Sequence, residues 1–220
     1  HSLGEYSACT IAGSLAFETG LSLVKLRAES MQAAGTTNPG TMAVIIGMTD
    51  ENVMSMCNTI SNDESVVVAA NFNSPGQVVI SGNINAVHEA MEKAQELGAR
   101  MAEELNVSGA FHSPLMDPAK KRLSAALDTI EINTATMPVY ANVTAQPTTE
   151  ADELRSNLKN QLDCPVKWHE TIDNMKSAGA TEMMEVGPGR VLQGLTRRID
   201  KKLISKGVET LEQIEGIAHV

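Results

Sequence analysis

Residues 65–82 read Ser65-Val66-Val67-Val68-Ala69-Ala70-Asn71-Phe72-Asn73-Ser74-Pro75-Gly76-Gln77-Val78-Val79-Ile80-Ser81-Gly82. Two runs rich in β-branched residues, 65–71 and 77–81, flank Ser74-Pro75-Gly76, which is a turn signal, so the stretch predicts two consecutive strands. Upstream, 50–60 has a helical pattern with Thr49 or Asp50 as its cap, and 41–48 reads as a strand. Downstream, Asn83 or Asn85 caps a helix that runs to about Leu97 and is closed by Gly98, and 99–107 reads as a last strand.

The order is β-α-β-β-α-β, the split βαβ arrangement of ferredoxin-like domains. Its ends lie near one place, which is how an inserted domain behaves. We therefore expect a small ferredoxin-like subdomain at 41–107 set into a larger unit formed by 1–40 and 108–220. In the larger unit, 3–17 and 21–34 read as helices broken by Gly20, and 35–40 reads as a loop. Further on, 117–127 is a helix, 137–141 a strand and 146–149 a turn. Two helices follow at 151–162 and 169–178, then a strand at 181–186 and a helix at 191–198. A strand-like segment at 207–208 and a helix at 211–217 end the chain. Strands alternating with helices predict an α/β fold with a parallel sheet.

The chain has 220 residues, enough for one large or two modest domains. Its net charge of -10 argues against non-specific nucleic-acid binding. Cys9, Cys57 and Cys164 are widely spaced and odd in number, which predicts reduced thiols, a cytoplasmic protein and no disulfide. No Cys or His spacing suggests a metal, and no apolar run is long enough to span a bilayer.

Chemistry is suggested first by His1-Ser2-Leu3-Gly4-Glu5. A serine between His and a nearby Gly, just ahead of a helix, is most of a nucleophile elbow. Ser2 with Glu5 three residues later is equally a capping box. A serine nucleophile needs a base. His1 is adjacent but would point away across a sharp turn. His88 sits mid-helix, His169 opens a helix and His219 lies in the tail. His112 stands in a loop bracketed by Gly109 and Pro114, the setting in which catalytic groups are often carried. It reads either as a base or as a structurally hydrogen-bonded loop histidine. Arg27 reads by spacing as a solvated helix arginine. Gly187-Pro188-Gly189 ahead of a helix could hold a phosphate or simply connect two elements.

Eight stretches in one order, HSLGEYSA, LVKLRAESMQ, NPGTMAVIIG, NFNSPGQVVISG, GAFHSPLM, ANVTAQP, CPVKWHETI and EVGPGRVLQGLTRRI, resemble the malonyl-CoA:acyl-carrier-protein transacylase family of fatty-acid synthesis. The acyltransferase domains of polyketide synthases look similar. The resemblance spans essentially the whole chain but starts within the family's GHSxGE motif, so it implies a longer parent with a segment ahead of His1. It implies an α/β-hydrolase-like core with the ferredoxin-like insert. It also implies ping-pong malonyl transfer in which Ser2 is the nucleophile and His112 the base. The Leu3 backbone N–H would be one oxyanion donor, and a glutamine in the preceding segment the other. Arg27 would pair with the malonyl carboxylate. Phe111 would fill the space that an α-methyl group needs, which disfavours methylmalonyl. Asn142 would lie at the substrate site or support the histidine's loop. A main-chain carbonyl of the 164–168 loop, assigned to Lys167, would orient His112.

The partners implied are malonyl-CoA and a phosphopantetheinylated acyl carrier protein, with no bound cofactor or metal and no membrane or nucleic-acid partner. The full-length parent is expected to be a monomer. Arg190, Arg197, Arg198, Lys201, Lys202 and Lys206, opposed only by Asp200, are expected to form a docking face for the acidic carrier or else a solvated helix end. Two other readings remain open, a serine hydrolase of related fold and a binding fragment inactive without the preceding segment. On the latter, the isolated chain is expected to be poorly soluble.

Overall fold

The Ser-Pro-Gly turn joins two antiparallel strands. The computed structural model describes residues 1–218 and begins with α1 (Gly4–Ile11) and α2 (Phe17–Thr37). It continues through β1 (Thr41–Ile46), α3 (Asp50–Ile60), β2 (Val67–Ser74), β3 (Gln77–Gly82), α4 (Ile84–Glu96) and β4 (Met101–Glu104). The four strands form one sheet in the order β2-β3-β1-β4, with each neighbouring pair antiparallel. Side chains on β1 alternate between faces as a strand requires. Ala43 and Ile45 pack with Val53, Val78, Ile80, Val87 and Ala90 under α3 and α4. Met42 and Val44 turn the other way, where they meet Ala70, Val79 and Phe111. One face of this sheet is thereby closed by its own helices, and the other looks toward the loop that carries His112.

The caps divide as their chemistry permits. Thr49 Oγ1 accepts from Asn52 N and caps α3. Asn83 precedes α4 but uses its Oδ1 on Val66 N at 2.8 Å, which ties the helix start to the head of β2.

The rest of the chain runs through a short 3-10 turn (Pro114–Met116), α5 (Asp117–Thr129), β5 (Val139–Tyr140), β6 (Pro147–Thr148), α6 (Ala151–Asn160) and α7 (Trp168–Ser177). It ends with β7 (Glu182–Val186), α8 (Val191–Ile199), β8 (Ile204–Val208) and α9 (Leu211–Ala218). The expected parallel sheet is represented among the described residues by one pair, β7 with β8. β5 and β6 form a separate antiparallel pair, so 146–149 holds a strand as well as a turn. The core of this part is helical. Tyr6, Cys9, Leu23, Met31, Leu123, Leu127, Leu154 and Leu158 bring α1, α2, α5 and α6 together.

Two glycines correct the expected breaks. Gly20 does not end a helix but lies inside α2, because a Cβ there would stand 2.7 Å from Thr10 Oγ1 of α1. Gly35 is also helical, and a Cβ on it would stand 2.4 Å from the Ser108 carbonyl oxygen. Both glycines serve close approach, so α2 runs through to Thr37 where a loop was expected. Among the described residues no helix is long and apolar enough to cross a membrane.

Candidate active site

Ser2 precedes α1, and the capping box that its spacing to Glu5 suggested does not form. Leu3 occupies the N-cap with no side-chain cap bond. The Glu5 carboxyl is buried instead of reaching back to the helix start. Its Oε2 accepts from Asn142 N at 3.1 Å and from Gln161 Nε2 at 2.7 Å. Burial pushes the Glu5 pKa up, and the bonds from Gln161 and Asn142 oppose that shift. Ser2 Oγ accepts from Arg27 Nη2 at 3.1 Å. The leading N–H groups of α1 have no acceptor within the helix, so the start of α1 can donate to a developing oxyanion.

Arg27 comes from the middle of α2 and is buried, contrary to the solvated reading. Its guanidinium stands 5.8 Å from the Tyr6 ring centroid, within cation–π range. Its Nε and the Tyr6 hydroxyl are buried with no protein partner among the described residues. A buried guanidinium that meets no carboxylate here is suited to receive one from a ligand, because its fork matches carboxylate geometry.

His112 is buried and has φ of 59°, the left-handed region, which is rare for a non-glycine residue. The turn is stapled by Ser113, whose Oγ donates to Ala110 O at 2.7 Å and accepts from Leu115 N. His112 Nδ1 donates to the Gln161 carbonyl at 2.7 Å. That bond fixes the neutral tautomer with Nε2 bare, the form a general base requires. Burial pushes the imidazole pKa down to about 4; the Gln161 carbonyl raises it, and the nearby Arg27 charge lowers it further. The structure contains no hydrogen bond between Ser2 and His112, whose polar atoms bond Arg27 and Gln161 respectively. Ser–base bonds are often long before substrate binds.

The orienting carbonyl is therefore not that of Lys167. Lys167 O accepts from Thr171 N at 3.0 Å and Thr171 Oγ1 at 2.8 Å, as part of the first turn of α7. Gln161 sits at the C-cap of α6, where carbonyls lack helical partners. Its side chain also matters, since Nε2 reaches Ser2 O at 2.8 Å, Glu5 Oε2 at 2.7 Å and Asn142 Oδ1 at 3.2 Å. An amide nitrogen has two hydrogens, so the two shorter contacts take them and the third is weaker. Asn142 belongs to this framework, with its N on Glu5, its Oδ1 near Gln161 and its O accepting from Lys167 N at 2.9 Å. Sequence reading missed Gln161. The available signal was a polar residue beside Leu158 and Leu162 on the apolar face of a helix ending before Pro165.

Comparison with known proteins decides the family. The model of the acyl transferase domain matches residues 1–211. The chain belongs to the acyl transferase family. It is 41% identical over 215 residues to the malonyl CoA-acyl carrier protein transacylase of Bacillus subtilis, covering 98% of this chain and 68% of that protein. It is 46% identical over 199 residues to the enzyme of the same name from Haemophilus influenzae, covering 90% of this chain and 64% of that protein. The solved transacylase from Coxiella burnetii superposes with a TM-score of 0.94 at 39% identity, over 99% of this chain and 68% of that one. The chain thus spans about two thirds of the length of these relatives.

In this acyl transferase His1, His88 and His169 are engaged elsewhere. His1 Nε2 bonds Asn73 Oδ1 at 2.8 Å and its ring lies 5.5 Å from that of Trp168. His88 pairs with Glu104, and His169 pairs with Asp50. His219 lies outside the described residues. Phe111, half-buried beside His112, packs against both the helical core and the open face of the sheet. The Gly187-Pro188-Gly189 turn leaves no phosphate cradle, because Glu185 fills the N-terminus of α8 by accepting from Leu192 N at 3.0 Å and Gln193 N at 3.1 Å. Of the basic cluster, Arg190, Arg197, Arg198, Lys201 and Lys202 are exposed. Asp200 pairs with Lys176, and Lys206 is opposed by Glu182, an acid not anticipated.

Proposed function

We propose that this acyl transferase moves a malonyl group from malonyl-CoA to the phosphopantetheine thiol of an acyl carrier protein through an ester on Ser2. His112 Nε2 takes the Ser2 hydroxyl proton as Oγ attacks the thioester carbonyl. Charge on the carbonyl oxygen is met by the Leu3 N–H. Collapse expels the coenzyme A thiolate, which takes its proton from the imidazolium. The carrier thiol then gives its proton to His112 and attacks the ester, and collapse returns that proton to Ser2. The Gln161 carbonyl holds Nδ1–H throughout, and Arg27 holds the malonyl carboxylate.

The observation that carries this reading is the Arg27 guanidinium, buried and 3.1 Å from Ser2 Oγ. A cation in that place favours an acyl group that ends in a carboxylate. Phe111 beside the base disfavours an α-methyl branch. The strand order β2-β3-β1-β4 supports a ferredoxin-like subdomain at 41–107, inserted in an α/β-hydrolase-like core. Carrier docking is assigned to the exposed Arg190, Arg197, Arg198, Lys201 and Lys202, with Arg198 and Lys201 sharing a surface cleft with Arg100 and Gln77. The reading places the enzyme in the cytoplasm, consistent with three free thiols, and as a monomer. Incubation with malonyl-CoA followed by intact-mass measurement tests it. A malonyl adduct on Ser2 that moves to added carrier protein is expected. Release of free malonate with no adduct would make the protein a hydrolase instead.

A further inference from the structure

Glu5 is a buried acid with no part in the steps above. We propose that it is a positioning residue whose Oε2, by accepting from Gln161 Nε2 and Asn142 N, fixes the residue that holds both His112 and the Ser2 carbonyl. The proposal rests on the transferase reading and adds to it a reason why nucleophile and base stay in register.

Gln161 touches both partners, with its backbone oxygen on His112 Nδ1 and its Nε2 on Ser2 O. Its backbone keeps helical dihedrals at the C-cap of α6, with φ of -60° and ψ of -33°, and its carbonyl lies where no later helical N–H reaches it. Its side chain is free to turn unless it is held, and its shortest bond, 2.7 Å, is to Glu5. The second bond to the same oxygen comes from Asn142 N, and Asn142 O in turn accepts from Lys167 N. The neighbouring Val166 is clipped to the edge of β2 by Val166 N to Ala70 O and Phe72 N to Val166 O, both 2.9 Å. Two straps, one from α6 and one running back to the four-stranded sheet, therefore converge on one carboxylate oxygen of the helix that follows Ser2. Stability does not account for the arrangement. Glu5 is 3% exposed and its Oε1 is buried without a partner among the described residues, which costs folding free energy.

A positioning role depends on where the acceptor lies, and a charge role depends on ionisation. Two variants separate them. Glu5→Gln keeps an acceptor oxygen in place without charge. Glu5→Asp keeps the charge and withdraws the acceptor by one carbon–carbon bond, about 1.5 Å. Each is compared with wild type by the rate of Ser2 acylation from malonyl-CoA and by the proton resonance of His112 Nδ1–H. We expect Glu5→Asp to lower kcat about 100-fold, the scale of an ångström's misplacement, with KM for malonyl-CoA nearly unchanged and the resonance shifted or lost. Glu5→Gln should stay within a few-fold of wild type in rate and keep the resonance. The reverse pattern, with Glu5→Gln slow and Glu5→Asp normal, overturns the proposal, as do two variants that both match wild type or change KM alone. If wild type takes no malonyl group, the transferase reading fails and the resonance arm decides alone. A signal lost in Glu5→Asp and kept in Glu5→Gln then supports positioning, and one signal common to all three overturns it.

Discussion

Arg27 Nη2 donates to Ser2 Oγ across 3.1 Å, so the cation proposed to select the acyl group rests on the proposed nucleophile. That bond draws on one of the two lone pairs of Oγ and lowers its nucleophilicity toward a thioester. A carboxylate is a better acceptor than a hydroxyl, so a malonyl carboxylate can draw the guanidinium away and leave Ser2 to His112. An acetyl group offers no such acceptor. Selection would then act on reactivity as well as on binding.

Replacing Arg27 should uncouple the two donors. With Arg27→Ala, kcat/KM for malonyl-CoA should fall about a hundredfold, the effect of stranding a carboxylate at a cost of roughly 3 kcal/mol. Acylation by acetyl-CoA should hold or rise. Arg27→Lys keeps the charge without the fork and should fall between the two. Steady-state kinetics with both donors check this, and an equal fall for both would sink it.

His112 gives the pH dependence a definite sign. Its folded pKa is about 4, against 6.5 for an ordinary imidazole. On acidification the unfolded chain binds the proton first, so stability is full above pH 6.5 and is lost as pH falls toward 4. The shift corresponds to about 3 kcal/mol. Glu5 acts oppositely, since burial holds its folded pKa above that of an ordinary glutamate and its contribution to stability falls as pH rises out of the usual carboxylate range. Comparing wild type with His112→Gln removes the Glu5 contribution. Denaturant unfolding at pH 7 and pH 4.5 should show a pH loss smaller by about 2–3 kcal/mol in the variant. Parallel curves would refute the assignment. Acylation should also persist well below pH 6.5, because the base stays neutral there.

How much of this was readable in the chain depends on the scale of the interaction. The small sheet was legible because the β-branched runs at 65–71 and 77–81 and the Ser-Pro-Gly turn between them are local signals. Gly20 and Gly35 misled because glycine breaks a helix in isolation, whereas here Thr10 and Ser108 stand where a Cβ would be. A motif match placed Ser2, Arg27 and His112 in one site. The main-chain acceptor for His112 was put on Lys167 and belongs to Gln161. A backbone carbonyl carries no side-chain signature, so any nearby loop serves equally well on paper. Glu5 looked like a cap for the same reason, since the pattern is local and the partners that capture it lie at 142 and 161.

The basic surface near α8 should act on one substrate only. Arg197 and Lys201 are exposed, so reversing both to Glu changes long-range charge with little effect on packing. KM for the carrier protein should rise about tenfold, and more at low salt, with malonyl-CoA kinetics nearly unchanged. Equal effects on both substrates would remove this face from docking.

Phe111, proposed to set specificity, is also a packing residue. Its ring packs against both the helical core and the sheet, so Phe111→Ser should cost about 2 kcal/mol, less than truncation of a fully buried Phe. If Phe111 bounds the acyl site as proposed, methylmalonyl-CoA should gain relative to malonyl-CoA. Competition between the two donors measures the ratio. An unchanged ratio with the stability loss present would leave Phe111 a packing residue only.

The same substitution at two helical glycines should have opposite signs. Alanine favours a helix over glycine by about 1 kcal/mol where nothing else intervenes. At Gly194 in α8 a Cβ would meet nothing within 4 Å, so Gly194→Ala should raise stability by up to that amount. At Gly35 a Cβ would stand 2.4 Å from Ser108 O and 3.4 Å from the Gly109 Cα, both backbone atoms that a side-chain rotation cannot move aside. Gly35→Ala should therefore destabilise by about 1–3 kcal/mol despite its better helix propensity. Residues 108–109 lead directly into Phe111 and His112, so the displacement passes into the loop whose left-handed residue is the proposed base. The variant should lose acylation rate at temperatures where it remains folded, while Gly194→Ala keeps it. Thermal melts with acylation assays on both proteins decide the matter, and a Gly35→Ala protein as stable and as active as wild type would show that α2 does not set the loop's position.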